Sequence, residues 1–80
     1  MKPRVRITAS ARKHRISQSR IIAALAEAEL VTVDGDAEYY VGFDDRGVEL
    51  ELIVVPDDRH EGRYACIHAM PTHYRKRQEE

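Results

Sequence analysis

The two basic ends of this 80-residue sequence carry, between them, histidine, arginine, lysine and tyrosine side chains. His14 lies between Lys13 and Arg15, and His68 precedes a basic segment that begins with Tyr74. Histidine titrates near neutral pH, so it can donate or accept a proton. Arginine and lysine bind phosphate, and tyrosine can stack on a base. Metal-free RNA cleavage needs these residue types to deprotonate the 2′-hydroxyl, protonate the leaving 5′-oxygen and neutralise the phosphate.

Ten residues are candidates for such a site. Those for the reaction centre are His68, His14, Arg63, Tyr74 and Arg75, and those for RNA binding are Lys13, Arg15, Arg46, Lys76 and Arg77. For each candidate there is an alternative interpretation in which the side chain has no functional role. A strand histidine is often satisfied by its neighbours, whereas loop arginines and a basic tail are often only solvated.

The sequence contains no motif for metal or cofactor chemistry. The four histidines lack the spacing of a zinc site, and the four glycines form no phosphate-binding loop. Cys66 is the only cysteine, which excludes an internal disulfide and a cysteine zinc cluster. It lies among apolar residues and is expected to be a buried, inert thiol. We therefore predict no metal and no cofactor.

Charge is distributed unevenly along the chain. Residues 1–26 contain seven basic and no acidic residues, residues 27–62 twelve acidic and two basic, and residues 63–80 four basic and two acidic. If the two basic ends meet in the fold, they attract a polyanion such as RNA. The acidic middle, in particular the face of Glu49 and Glu51, is where a basic protein partner is expected. The alternative is a set of solvated faces, and the net charge of −1 argues against a general nucleic-acid binder.

The clearest local prediction is a helix over about residues 18–28. Ser17 is a good N-cap because its hydroxyl can accept from first-turn amides. Ile16 and Ile21 stand at the two positions of a hydrophobic staple. An apolar stripe follows at helical spacing and consists of Ile21, Ile22, Leu25 and Ala28.

Alternating apolar residues predict strands on both sides of this helix. Val5 and Ile7 mark a short strand, and a helical turn follows Ser10. Later strands are predicted at 30–33, 39–43, 48–54 and 64–69, separated by turns at 34–36 and 44–47 and a loop at 57–62. In the last strand, His68 is expected on the same side as Cys66, with residues 65, 67 and 69 on the other side.

The sequence therefore predicts one α+β domain over residues 1–80. A short N-terminal strand and one or two helices pack on a mostly antiparallel sheet of three or four strands, and residues 72–80 form a flexible or helical basic tail. Val, Ile, Leu and Phe number 18 and Trp is absent, so the core is thin and a partner or a homodimer is expected to stabilise it. No apolar run can cross a membrane and no signal peptide is visible, which predicts a cytoplasmic protein.

The surroundings of His14 and the order of the later segments resemble a known family. Residues 11–17, Ala-Arg-Lys-His-Arg-Ile-Ser, lead into apolar residues 21–25 and resemble the Lys-His-Gly-Val-Ser opening of BrnT-type toxins. Those toxins belong to the RelE/ParE-like superfamily. The later parts are similar in order over nearly the whole chain: residues 40–42, an Asp-Arg-Gly turn at 45–47, an apolar strand, and residues 66–71 and 74–77.

This resemblance implies a RelE/ParE-like fold and a type II toxin that cleaves mRNA without metal and is neutralised by a cognate antitoxin. Arg15 stands where the family has Gly, and His68 and Met70 stand where it has Ser and Arg. Two other functions remain open. One is a non-enzymatic module of the same fold that binds a protein through its acidic sheet region, and the other is a ParE-like topoisomerase inhibitor.

Overall fold

Five strands form one mixed sheet in the computed structural model, which describes residues 5–74. Their order across the sheet is β1-β5-β4-β3-β2, with β1 parallel to β5 and the other neighbours antiparallel. The predicted α+β class is confirmed. The elements are β1 (Val5–Ile7), a 3₁₀ turn (Ser10–Arg12), α1 (Gln18–Ala26), β2 (Glu29–Asp34), β3 (Ala37–Phe43), β4 (Glu49–Pro56) and β5 (Tyr64–Pro71), and residues 72–74 are helical.

Helix α1 begins where the sequence predicts. The Ser17 hydroxyl accepts a hydrogen bond from the Arg20 amide at 3.3 Å, which satisfies one of the first-turn donors. Ile16 and Ile21, on either side of this cap, are both buried. The helix ends at Ala26, two residues earlier than predicted. Within residues 5–74, no helix has the length and apolar character needed to cross a membrane.

One face of α1 lies on β3 and β4. Gly42 of β3 permits the close approach, because a Cβ at this position would clash with the backbone oxygen of Ala24 and lie 3.0 Å from the Cα of Ala28. Leu25 is buried against the sheet, whereas Ile22 remains 51% exposed. The apolar stripe predicts that Ile22 packs on the sheet, and this is wrong, since the buried row of the helix is the narrower one of Ile21, Ala24 and Leu25.

The centre of the core is the predicted apolar face of β4, with Leu50, Leu52 and Val54 buried. On β3, Tyr40 and Gly42 share this face because they pair with Leu52 and Leu50 across the sheet. The odd-numbered residues of β3 lie on the opposite face. The alternation predicted for β3 is thus present. The face toward the helix carries Glu38, Tyr40 and Gly42, whereas the larger apolar set with Val41 and Phe43 lies on the opposite face.

Strand β5 has one extra residue relative to β4. Cys66 pairs with Val54 and His68 pairs with Ile53, so Ile67 has no counterpart. Because Val54 and Ile53 point to opposite faces, Cys66 is buried in the core while His68 lies on the other side. The prediction that Cys66 and His68 share one side is wrong because it assumed unbroken alternation. The predicted burial of Cys66 is confirmed, and this burial raises the pKa of its thiol.

Two ion pairs connect elements that are distant in sequence. Arg6 of β1 binds Asp57, which follows β4, through Nε at 3.1 Å and Nη2 at 3.2 Å. The hydrogen bond from Arg6 holds the pKa of Asp57 at about 2. Arg20 of α1 binds Asp44 at 2.7 Å. Burial alone would raise the pKa of Asp44, but hydrogen bonds, that from the Val48 amide first, bring it below its ordinary value.

Candidate functional site

The segment between β1 and α1 carries His14 and is attached to β5. The Thr8 amide and the Thr8 hydroxyl both donate to the carbonyl oxygen of Cys66, each at 3.1 Å. Ala11 and Ile16, on either side of His14, are buried in the core. The turn between these two buried residues is thereby held beside the second half of β5, and His14 in it is half-buried.

Arg15 gives this turn an unusual backbone. Its φ is +64°, and it is the only non-glycine residue with positive φ among residues 5–74. Its amide donates to the carbonyl oxygen of Arg12 at 3.0 Å. A left-handed backbone costs a non-glycine residue about 1–2 kcal/mol, and such strain is common at functional sites. Glycine adopts this conformation at no steric cost.

His68 on β5 is held by a carboxylate from the neighbouring strand. Its Nε2 lies 3.0 Å from Oε2 of Glu51, and the two side chains are 23% and 15% exposed. A carboxylate only accepts hydrogen bonds, so Nε2 carries the proton and, in the neutral imidazole, Nδ1 carries the lone pair. The pair fixes the orientation of the ring and stabilises the charge that appears when His68 takes a second proton.

His14 and Tyr74 complete a group that we call the histidine cluster: His14, His68, Glu51 and Tyr74. The ring centroids of His14 and His68 are 5.9 Å apart, with the rings nearly perpendicular. The ring of Tyr74 lies 6.2 Å from that of His14, also edge to face. Three rings from three separate segments therefore meet beside β5, next to the carboxylate of Glu51.

The structure brings together part of the predicted site. His14, His68 and Tyr74 meet, and the exposed Lys13 and Arg15 flank His14. Arg63 does not join them, because it precedes the start of β5 and lies five residues from His68, or roughly 16 Å along an extended chain. The exposed Arg46 lies in the turn between β3 and β4, where its amide donates to Asp44 at 2.8 Å. Arg75, Lys76 and Arg77 lie outside the described residues.

Sequence reasoning missed Glu51 as a member of the site. The sequence pattern predicts Glu51 with Glu49 on an acidic face for a protein partner, yet Glu51 contacts His68, and Glu49 accepts a hydrogen bond from Thr72 at 2.7 Å. The available signal was the alternation of acids along β4 opposite a histidine on β5. Finding the pair required the strand register, which the extra residue Ile67 shifts.

The described residues contain no group of three or more histidine, cysteine, aspartate or glutamate side chains arranged to hold a metal ion. Comparisons with protein-family models, with curated proteins and with solved structures find no match. The function of the site therefore has to be argued from the chemistry of the histidine cluster.

Proposed function

We propose that this protein is a metal-independent endoribonuclease whose reaction centre is the histidine cluster. The observation that carries the proposal is the meeting of His14 and His68, with ring centroids 5.9 Å apart and Glu51 bound to His68. Two imidazoles can divide the two proton transfers of RNA cleavage between them, because each can act near neutral pH.

In this mechanism His68 is the general base. Its Nδ1 takes the proton of the ribose 2′-hydroxyl, and Glu51 stabilises the imidazolium that forms. The 2′-oxygen then attacks the phosphorus, and protonated His14 donates a proton to the leaving 5′-oxygen. The products are a 2′,3′-cyclic phosphate and a 5′-hydroxyl end.

Positive charge and an aromatic ring surround the reacting groups. Lys13 and Arg15 are exposed next to His14 and bind the phosphate as its negative charge develops. Tyr74 offers a partly exposed ring on which a neighbouring base can stack. The resemblance to BrnT-type toxins supports mRNA as the substrate and a cognate antitoxin as the neutralising partner.

The test is cleavage of single-stranded RNA by the purified chain in the presence of a metal chelator. His68→Gln should lower the rate by about 10²–10⁴-fold, the usual contribution of one general acid or base. Its melting temperature should stay close to wild type. His60→Gln is the matched control, because His60 is exposed in the loop between β4 and β5 and should retain full activity.

A second pair of variants tests the role of the carboxylate. Glu51→Gln should lower the rate, though by less than His68→Gln, because the imidazole keeps a hydrogen-bond partner but loses the stabilising charge. Glu49 lies on the same face of β4 but accepts a hydrogen bond from Thr72 instead. The Glu49→Gln variant should therefore cleave RNA like wild type.

Two results would contradict the proposal. If His68→Gln lowers the melting temperature and activity falls only with the folded fraction, His68 has a structural role. If the wild-type chain, separated from any partner, cleaves no RNA, the protein is not a ribonuclease. The second candidate, a protein-binding module, would then take its place, and the exposed apolar strand β2 favours it independently.

A further inference from the structure

Strand β2 is an edge strand with an open side. It lies at the end of the sheet and pairs only with β3 among the described residues. Every residue from Glu29 to Asp34 is exposed. An edge of this kind presents backbone N–H and C=O groups that can pair with a further strand.

The side chains of β2 are unusually apolar for an exposed edge. Leu30, Val31 and Val33 are 52%, 62% and 54% exposed. Natural edge strands are usually protected by lysine, proline or a bulge, and β2 contains neither lysine nor proline. It has one irregularity, between Leu30 and Thr32, which leaves residues 32–34 in regular pairing with β3. This half of the edge is open to a partner strand.

The charge around β2 identifies the kind of partner. The segment from residue 27 to residue 38 contains five acidic and no basic residues: Glu27, Glu29, Asp34, Asp36 and Glu38. A second copy pairing antiparallel about the middle of β2 would place Glu29 opposite Asp34 twice, and like charges directly opposite each other are destabilising. Complementarity therefore favours a basic strand over self-pairing.

We propose that β2 binds an extended segment of another protein that adds a sixth strand to the sheet. This segment has alternating apolar side chains, which cover Leu30 and Val33, and lysine or arginine residues near Glu29 and Asp34. The inference goes beyond RNA cleavage and does not depend on it, because β2 and the histidine cluster are built from different elements.

The test uses a blocked synthetic peptide of alternating valine and threonine with a lysine at each end. Added to the ¹⁵N-labelled protein, it should shift the amide signals of residues 29–34 and protect them from hydrogen exchange. The same peptide with glutamate at each end, or with N-methyl groups on the backbone amides that face β2, should not bind. Absence of shifts with the lysine peptide overturns the proposal, and so do shifts centred on other elements.

A pair of charge variants tests the choice of partner. The double variant Glu29→Lys and Asp34→Lys should bind the lysine peptide about tenfold more weakly, because two exposed attractions become repulsions. Asp45→Lys with Glu61→Lys changes the net charge equally at exposed turn positions and should bind like wild type. Equal weakening by both variants would mean that only net charge matters, which contradicts the assignment to β2.

Pairing of two copies of the protein through β2 is the remaining possible outcome of the test. Without peptide, sedimentation equilibrium should show no association through β2. If the amide signals of residues 29–34 shift with protein concentration alone, the occupant of the edge is a second copy of this chain, and the basic-strand proposal is wrong. RNA cleavage measured on the double variant keeps the two proposals separate, since it should remain at the wild-type rate.

Discussion

Arg15 has a backbone conformation that glycine adopts freely and arginine does not. Its φ of +64° lies in the left-handed region, directly after His14. Arg15→Gly should therefore stabilise the protein by about 1 kcal/mol. It should also weaken RNA binding and reduce the slope of log affinity against log salt by about 1, because one phosphate contact is lost. Denaturant unfolding and binding titrations at several salt concentrations measure the two effects.

Arg12→Gly is the control for this prediction. Arg12 is also exposed and basic, but it lies in the 3₁₀ turn with an ordinary backbone, so glycine there should destabilise by about 0.5–1 kcal/mol. If Arg15→Gly is destabilising as well, the backbone of Arg15 is not strained. If Arg15→Gly leaves RNA binding unchanged, Arg15 has no role in the site.

At the residue scale, residue type predicts members of the candidate site but not its geometry. Imidazole and phenol groups near basic residues suit phosphate chemistry, which favours His14, His68 and Tyr74, and the structure places these three together. The same reasoning favours Arg63, which lies just before β5, away from His68. The sequence pattern predicts Glu51 on a protein-binding face instead, because its contact with His68 depends on the strand register and no local pattern encodes that register.

The docking of α1 on the sheet is the main packing contact at the scale of the elements. Leu25 is buried between the helix and the sheet, so Leu25→Ala removes packed methyl groups and should cost about 2–5 kcal/mol. Ile22 stands on the same helix but is half-exposed, and Ile22→Ala should cost much less. Thermal or urea unfolding of the two variants provides the comparison, and equal losses would contradict this orientation of the helix.

The elements themselves were largely predictable, whereas their pairing was not. The Ser17 cap and the alternation of Leu50, Leu52 and Val54 are local signals, and both correspond to what the structure shows. The parallel pairing of β1 with β5 joins segments nearly sixty residues apart. The extra residue Ile67 lies in a run of small and apolar residues and has no sequence signature. The alternation of apolar residues therefore could not predict on which face of the sheet His68 lies.

At the scale of the whole molecule, the basic turn around His14 and the acidic strand β2 lie on opposite sides of the sheet. The basic turn around His14 is beside β5 and β1, while the acidic strand β2 is separated from β5 by β4 and β3. With this separation, a chain with a net charge of −1 has a basic surface beside β5 and an acidic one at β2, as the two proposals require. A partner bound only to β2 would leave the histidine cluster accessible, so under the proposed function an antitoxin that blocks RNA cleavage would have to extend across the sheet to β5.

The ion pair between Arg6 and Asp57 connects the first strand to the rest of the fold, and it gives the stability of the whole domain a defined pH dependence. Asp57 has a pKa of about 2 in the folded protein, held down first by the hydrogen bond from Arg6. In the unfolded chain an aspartate titrates near pH 3.9. Because the folded pKa is the lower one, the stabilisation is complete above about pH 4 and is lost as the pH falls toward 2.

Asp57→Asn should therefore lower the free energy of unfolding at neutral pH, and the difference from wild type should shrink between about pH 4 and pH 2. Urea unfolding at a series of pH values measures this difference directly. Asp58→Asn, at the exposed neighbouring position, should change the stability little at any pH, because the structure places the contact to Arg6 on Asp57. A difference between wild type and Asp57→Asn that stays constant down to pH 2 would contradict the prediction. It would mean that the side chain stabilises β1 through its shape and its hydrogen bond to the Arg59 amide rather than through its charge.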